Sequence, residues 1–343
     1  MGGSALDSVL GDLACPLCGA ALARAGSALR CAEGHAYDVA RQGYVTLRSG
    51  ASAGTGDSAA MVAAREAFLT RGHYAPIAGA LTEAVGAALG VVVGAPAAPA
   101  APAPAAPAPG AGARATSPAT DPAAPPVTAP GTGSRAAAHE AGPLCVDLAG
   151  GTGHYTRAVL EAHPGVRGVC LDVSAPALRR AARAHERLAA VGADVWRPLP
   201  LRDDAAACVL SVFGPRNVAE IVRVLTPGGR LVVVTPTPRH LHELAGPLGM
   251  IGVDPRKDER LATQLEGLTL AARQPLEYEV AMSRADACDA VLMGPSAHHV
   301  EEAALRALVD ALPEPVRVTV SVTLTAWTTG PTPGPDPRTR LAP

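Results

Sequence analysis

Cys15-Pro-Leu-Cys18 is followed, after twelve residues, by Cys31-Ala-Glu-Gly-His35, and this C-x2-C-x12-C-x3-H pattern constrains the start of the chain more than any other feature. Zinc takes four thiolate or imidazole ligands in a tetrahedron, and a two-residue spacing lets both cysteines of a knuckle reach one ion. Gly19 and Gly34 supply the tight turns that such knuckles need. Cys15, Cys18, Cys31 and His35 would fill every position around the ion, which makes the expected site structural and closed rather than catalytic. The competing reading is a set of buried structural cysteines beside an unrelated histidine. Seven cysteines are an odd number, and three of them gather here; in a reducing compartment that favours metal over disulfides. A module of residues 1–50 is too small to fold without its metal.

The whole chain of 343 residues has room for one α/β domain besides this module. Hydrophobic residues make up 48% of it and aromatics only 3%, so the core must be built from Ala, Val and Leu. No apolar run of about 18 residues is free of Pro, Gly and charge, so no transmembrane helix is expected. The first twelve residues lack a basic start and a signal-peptide core, and a cytoplasmic location is expected. A net charge of −2 means that any polyanion partner must find a local basic surface.

Residues 51–93 read as a helical connecting segment. Asp57 or Ser58 starts a helix through Met61, Arg65, Phe68 and Leu69, and a second runs from Pro76 to Leu89. Residues 94–142 differ: eleven of the 33 prolines lie between positions 91 and 130, among Ala, Gly, Ser and Thr. Such a segment buries too little apolar surface to offset chain entropy and is expected to be a disordered linker. From 143 to 330 strand and helix alternate. Apolar runs at Leu144–Leu148, Val166–Leu171, Cys208–Val212 and Arg230–Val234 are separated by helical stretches at Ala175–Ala190 and Asn217–Leu225. This alternation predicts an α/β domain on a mostly parallel sheet. Val316–Trp327 alternates as a late, antiparallel strand, and residues 331–343 read as a disordered tail.

Asp147-Leu-Ala-Gly-Gly-Thr-Gly153-His-Tyr155 follows the first of these strands and opens a helix, where bare glycines let the backbone approach a ligand. Asp172, nineteen residues after Gly153, ends the next strand, where an acid can bond both hydroxyls of a ribose. Asp194, with Val195 and Trp196, offers a carboxylate and a π-face to an adenine. A nicotinamide dinucleotide also suits a strand, glycine turn and acid, but Thr156 stands where G-x-G-x-x-G needs its third glycine. Asp147 ahead of the glycines is the mark of the first methyltransferase motif. The expected cofactor is S-adenosylmethionine, held by Asp147, Ala149, Gly150, Gly151, Gly153, His154, Tyr155, Asp172, Asp194 and Val195. Pro227-Gly228-Gly229 adds a turn that recurs in this fold.

These features, with Asp38-Val-Ala-Arg-Gln-Gly-Tyr-Val45, Met61-Val-Ala-Ala-Arg65, Gly72-His-Tyr-Ala-Pro76, Leu199-Pro-Leu-Arg-Asp203, Val212-Phe-Gly-Pro-Arg-Asn217, Arg239-His-Leu241 and Met293-Gly-Pro-Ser296, resemble the 23S rRNA guanine-N1 methyltransferases. The likeness is nearer to the tylosin-resistance (TlrB-type) branch than to the enterobacterial (RlmA-type) one, and covers nearly the whole chain outside the linker. It implies a class I Rossmann-like methyltransferase domain, methylation of N1 of a guanine in a domain II hairpin of 23S rRNA, macrolide resistance, and a homodimer. Two departures stand out: Ala149 occupies the place of the first motif glycine, and the Ala/Pro insertion lengthens the connection before the first strand.

For the chemistry, Arg216 is positioned by the pattern to donate to guanine O6, Asn217 to read the base edge and Phe213 to stack, although Asn217 equally suits a helix N-cap. His240 is the candidate base, with His298 and His299 behind it; each also fits a structural place. Arg24, Arg30, Arg41 and Arg48, with Tyr44, offer the zinc module a face for RNA, although six Arg against six acids leave residues 1–80 neutral. Arg179, Arg180, Arg183 and Arg187 read as a solvated helix face. A small-molecule methyltransferase and a non-catalytic RNA-binding protein on the same fold are the alternative functions.

Overall fold

The computed structural model describes residues 4–48, 50, 56–90, 142–254 and 256–330. The linker expected at 94–142 (apart from Gly142) and the tail expected at 331–343 lie outside the described residues. At the N-terminus a one-turn helix α1 (Ala5–Ser8) precedes a small antiparallel sheet of β1 (Leu22–Ala25), β2 (Ala28–Cys31) and β3 (Ala36–Asp38). A two-residue strand β4 (Val45–Thr46) and helices α2 (Ala59–Thr70) and α3 (Ala75–Ala88) follow. Next come β5 (Leu144–Leu148), α4 (His154–Ala162), β6 (Arg167–Asp172), α5 (Ala175–Ala184) and β7 (Leu188–Gly192). After them run β8 (Ala206–Val212), α6 (Val218–Val224), β9 (Leu225–Pro236), α7 (His242–Ala245) and α8 (Lys257–Gln264). The C-terminal part holds β10 (Leu268–Met282), α9 (Arg284–Leu292), α10 (Glu302–Asp310) and β11 (Val316–Thr329).

Eight of these strands form one sheet in the order β10-β11-β9-β8-β5-β6-β7-β4. Strands β4 to β9 pair in parallel, and β11 runs antiparallel between β9 and β10. The chain moves outward from β5 through β6 to β7 and returns to β8 on the other side of β5. That reversal opens a crevice at the carboxyl ends of β5 and β8, where ligands of open α/β sheets bind. Strands β5, β6 and β7 are buried at every residue, as expected for parallel strands covered on both faces.

Local signals set the helix starts. Ser58 caps α2 by accepting from the Met61 amide, and Ser174 caps α5 by accepting from the Ala177 amide. The single helix expected over 175–190 is in fact two elements. Helix α5 ends at Ala184, His185 is extended, and Leu188-Ala-Ala-Val-Gly192 is a strand. A short apolar run buried on both faces has no periodicity of its own, so its alanines resembled a continuing helix until the sheet claimed it. Strand β10, fifteen residues with an exposed polar face, is a further element absent from the sequence reading.

Each face of the sheet carries its own core. One holds Phe68, Ile77, Leu81 and Val85 of α2 and α3 against Leu160, Leu178 and Val232. The other packs Leu6, Leu13, Leu29 and Leu47 of the N-terminal module against Val146, Leu171, Val191 and Ile221. The module is thus bound to the sheet rather than tethered to it: β4 pairs with β7 (Val45 opposite Val191), and Leu13 bridges Leu201. Beneath this contact the Arg167 guanidinium meets the Asp12 carboxylate at 2.5 Å, with side-chain exposures of only 9% and 6%. It also donates to the carbonyls of Ser8 and Gly142. Among the described residues no helix is long and apolar enough to cross a membrane. Replacing Asp12 with alanine leaves Arg167 buried with carbonyls alone, and the expected loss is about 3 kcal/mol in urea unfolding. Asp12→Ala combined with Arg167→Met should recover much of it.

Candidate active site and metal cluster

The two knuckles bring Cys15, Cys18, Cys31 and His35 together with their ligand atoms all within 4.8 Å of one another. Bonds of about 2.3 Å to sulfur and 2.0–2.1 Å to nitrogen put tetrahedral ligands about 3.8 Å apart for two sulfurs and about 3.6 Å for sulfur and nitrogen. Cys18 Sγ lies 3.7 Å from Cys31 Sγ, and His35 Nδ1 lies 3.5 and 3.4 Å from the sulfurs of Cys15 and Cys31. The set therefore fits a zinc ion and leaves no open position. The Tyr37 hydroxyl, 3.0 Å from Cys15 Sγ, orients that ligand from outside, a contact the sequence did not suggest.

At the end of β5 the backbone turns sharply. Ala149 has φ +52°, Gly151 +59° and Gly153 +74°. Gly150 is held to the sheet by its amide, which donates to the Leu171 carbonyl. A side chain at Gly150 would put its Cβ 2.6 Å from the Asp147 carboxyl and 2.8 Å from Cys170 Sγ. Asp147 is itself buried; its Oδ2 is bonded by the Thr156 hydroxyl at 2.6 Å, and its Oδ1 has no partner. Burial pushes its carboxyl up to about 7, Thr156 works against that, and the nearby Asp172 adds to it. Asp172 accepts from the Gly151 amide at 2.9 Å and the Ser174 amide at 2.8 Å, one on each oxygen. Each oxygen keeps a second lone pair for a ligand. Asp194 is buried at the next strand end with its Oδ1 on the Trp196 amide, Val195 packs beside it, and the Trp196 ring is 62% exposed. A bare backbone turn, an orphaned acid oxygen and successive carboxylates at strand ends suit an adenosyl cofactor with an amino-acid tail.

Two expected contributors lie differently from the rest. Tyr155 is a core residue, its ring edge-on to His154 at 5.2 Å. His154 lines a cavity of about 450 Å³ with Glu66, Thr152, Arg157, Arg180 and Arg183. Burial and Arg157 push its imidazole down to about 4, so it is neutral near pH 7. The arginines of α5 are not a uniformly solvated face either. Arg180 pairs with Glu66, and Arg187, just past the helix, gathers the carbonyls of Leu160, His163, Pro164 and Val166.

Across the crevice, β8 gives way to Phe213, whose φ of +55° is unusual for a bulky side chain. Gly214 brings this loop against β5: its Cβ position is 3.2 Å from the Leu148 carbonyl and 3.5 Å from Ala149 Cβ. The Phe213 ring, 39% exposed, lies 5.9 Å from Tyr74 and 5.6 Å from His240. Tyr74, buried at the start of α3, was missing from the sequence-based site; the Gly72-His-Tyr-Ala-Pro76 motif was the signal for it. Its hydroxyl is 2.9 Å from His240 Nε2, and the Ser321 amide donates to His240 Nδ1 at 3.3 Å. That pattern assigns the ring proton to Nε2. Both ring nitrogens of His240 are thus engaged within the protein in this arrangement. Arg216 folds over its own loop, donating at 3.4 Å to Ser211 Oγ and 3.2 Å to the Gly214 carbonyl, while its buried Nε has no partner. Asn217 caps α6 through its side-chain oxygen, so the capping alternative is the one realised. The side chain of His298 lies outside the described residues, and His299 is exposed.

Among the described residues, three of the four non-glycine positions with positive φ, Ala149, Phe213 and Leu241, border this one crevice. Such clustering is characteristic of functional sites. Two outcomes are expected. Fresh protein should carry one zinc per chain by metal analysis, and chelation should lower the melting temperature of the whole chain, since module and sheet share a core. The carboxyl of Asp147 titrates higher folded than unfolded, so its stabilising contribution is complete below about pH 4 and drains as pH rises through about 7. Thermal melts of cofactor-free protein should show wild type losing stability relative to Asp147→Asn across that interval.

Two family models match the chain. One is the zinc ribbon described as "RlmA, N-terminal", over residues 13–48, and the other a methyltransferase domain, over residues 145–229. A protein of Micromonospora griseorubida named as a 23S rRNA (guanine-N1) methyltransferase is 43% identical over 316 residues, covering 91% of this chain and 95% of its own. The 23S rRNA (guanine(748)-N1)-methyltransferase of Streptomyces fradiae is 40% identical over 308 residues, covering 89% and 92%. A demethylmenaquinone methyltransferase of Clavibacter sepedonicus is 39% identical over 110 residues, but these cover only 29% of this chain and 44% of its own. With the C-x2-C-x12-C-x3-H cluster packed onto a reversing parallel sheet, and with likeness sustained along nine-tenths of its length, the chain belongs to the family of S-adenosylmethionine-dependent 23S rRNA guanine-N1 methyltransferases that carry an N-terminal zinc ribbon.

Proposed function

We propose that this chain methylates N1 of a guanine in a domain II hairpin of 23S rRNA. The observation that carries this reading is the part-exposed Phe213 ring beside the cofactor turn, backed by the buried Tyr74 and by His240 in one aromatic wall, with the unpartnered Nε of Arg216 in the same loop. A base lifted from a loop can stack on such a wall, and RNA hairpins offer bases unstacked in this way. When bound, S-adenosylmethionine supplies an electrophilic methyl group on a sulfonium. Guanine N1 must give up its proton, here to solvent water, for the new bond to form, and the negative charge left on the base is shared with O6. Arg216, whose guanidinium is partly desolvated and meets no carboxylate among the described ion pairs, is the donor suited to that charge. His240 acts as a positioning residue that fixes Tyr74, and Asn217 sets the start of α6. The glycine turn and Asp172 hold the nucleophile's partner in place, so that alignment rather than new covalent chemistry lowers the barrier.

The zinc ribbon is proposed as the part that grips the hairpin outside the target base. Arg24, Arg30, Arg41 and Arg48 are all exposed on it, and Tyr44 is half-buried. A methylated guanine beside the exit tunnel would make the host less susceptible to tylosin-type macrolides.

The test is methyl transfer from labelled cofactor to an unmodified 23S domain II transcript, followed by primer extension. One strong stop at a guanine is expected, and it should vanish when that guanine is changed to adenine. Arg216→Ala should lower the single-turnover rate by about a hundredfold with cofactor binding intact. Tight cofactor binding with no label in RNA would overturn the reading.

A further inference from the structure

Arg65 of α2 has no part in the site as derived so far, yet its guanidinium lies against the cofactor turn. Its Nη1 is 3.0 Å from the point where a Cβ on Gly151 would stand, and Cδ and Cζ follow at 3.6 and 3.9 Å. The nearest foreign atoms to the bare face of that glycine are therefore those of a cation. Two contacts fix the side chain. Nη1 meets Asp57 Oδ2 at 2.5 Å, and Nη2 donates to the Met293 carbonyl at 2.7 Å. The pair is not sealed: the two side chains are 26% and 23% exposed. A guanidinium has five N–H donors, and these contacts leave it with donors to spare.

Charge around the turn makes this cation conspicuous. Burial raises the Asp172 carboxyl, the Ser174 and Gly151 amides oppose that, and of the charges nearby Asp57 raises it further while Arg65 lowers it; Asp172 in turn raises Asp147. Among the described residues, no other cation stands among the atoms nearest Gly150, Gly151 or Gly153. S-adenosylmethionine carries a sulfonium and an ammonium, both suited to an acidic pocket, and one carboxylate that is not. We propose that Arg65 binds the carboxylate of the cofactor's amino-acid end, with Asp57 and the Met293 carbonyl holding the guanidinium in place for it. Arg65 thereby selects cofactors that retain this group. The inference rests on the cofactor alone and stands whether or not RNA is the methyl acceptor.

The competing role for Arg65 is a strut that joins α2 to the segment after α9. Calorimetric binding of two ligands separates them: S-adenosylhomocysteine, and its decarboxylated analogue, which keeps the ammonium. Neither requires turnover. Wild type should prefer the carboxylated ligand, and Arg65→Ala should cut that preference by about tenfold or more, chiefly through weaker binding of S-adenosylhomocysteine. Arg65→Lys keeps the charge without the fork and should lose part of the preference. If both ligands weaken by the same factor, or neither changes, the proposal is wrong. Should Arg65→Ala fail to fold, the same ratio measured on Arg65→Lys decides, with an unchanged ratio counting against it.

Discussion

The centre of this protein is organised by the absence of one side chain. Because Gly150 has no Cβ, the backbone leaving β5 can fold directly over the Asp147 carboxyl and against Cys170 of the neighbouring strand. That close approach buries the acid, which raises its pKa and leaves one oxygen unpartnered in a dry site. It also sets the path of the next residues, so that Gly151 can donate to Asp172 and α4 can start at His154. Even an alanine at this point would have to displace packed atoms. The neighbouring Ala149, by contrast, keeps its methyl group in a left-handed conformation at a cost of about 1–2 kcal/mol, a strain the surrounding sheet contacts hold in place.

A second set of contacts joins parts of the chain that are remote in sequence. Gly72 turns the backbone between α2 and α3, and the two residues after it face different neighbours. His73 lies 3.3 Å from an Asp286 carboxylate oxygen on α9, while Tyr74 reaches His240, 166 positions away. Arg71 adds ion pairs to Asp286 and Asp289. The helices ahead of residue 91 are thereby fastened to the C-terminal elements of the chain. An interior poor in aromatics thus spends three of its few rings, Phe68, Tyr74 and Phe213, in one chain of contacts from the core of α2 to the mouth of the crevice.

The sequence made some of this plain and concealed the rest, for physical reasons. Metal ligands at fixed short spacings are local, so the cysteine and histidine cluster was readable as written. The glycine turn and the acid at the end of β6 were also local signals, tied to the ends of β5 and β6, which hydrophobic runs located well. Strand β7 was hidden because its residues favour helix and its strand character comes wholly from burial between neighbours. Strand β10 was hidden because one face is polar and exposed, so no apolar run marked it. Tyr74 and Arg65 could be read only as parts of motifs. What they do depends on contacts to His240, Gly151 and Met293, which no spacing along the chain encodes.

The neutral N-terminal module is easier to understand once its place in the fold is seen. Of its six acids and six arginines up to residue 80, several are spent on structure. Asp12 pairs with Arg167 beneath the interface, Asp57 with Arg65 at the cofactor turn, and Glu66 with Arg180 on α5. Charge tied up in these contacts tells little about the surface that meets a polyanion. The arginines left exposed on the ribbon are therefore the relevant count, while these paired acids, of which Asp12 is buried, serve to fasten the ribbon and its following helices to the catalytic sheet. Because β4 extends that sheet beside β7, the ribbon's position is set by the same hydrogen-bond ladder that places Asp194 at its strand end. On the proposed reading, in which the ribbon grips the hairpin, a rigid offset of this kind suits a module whose contacts choose the base that reaches Phe213, as a flexible tether would not.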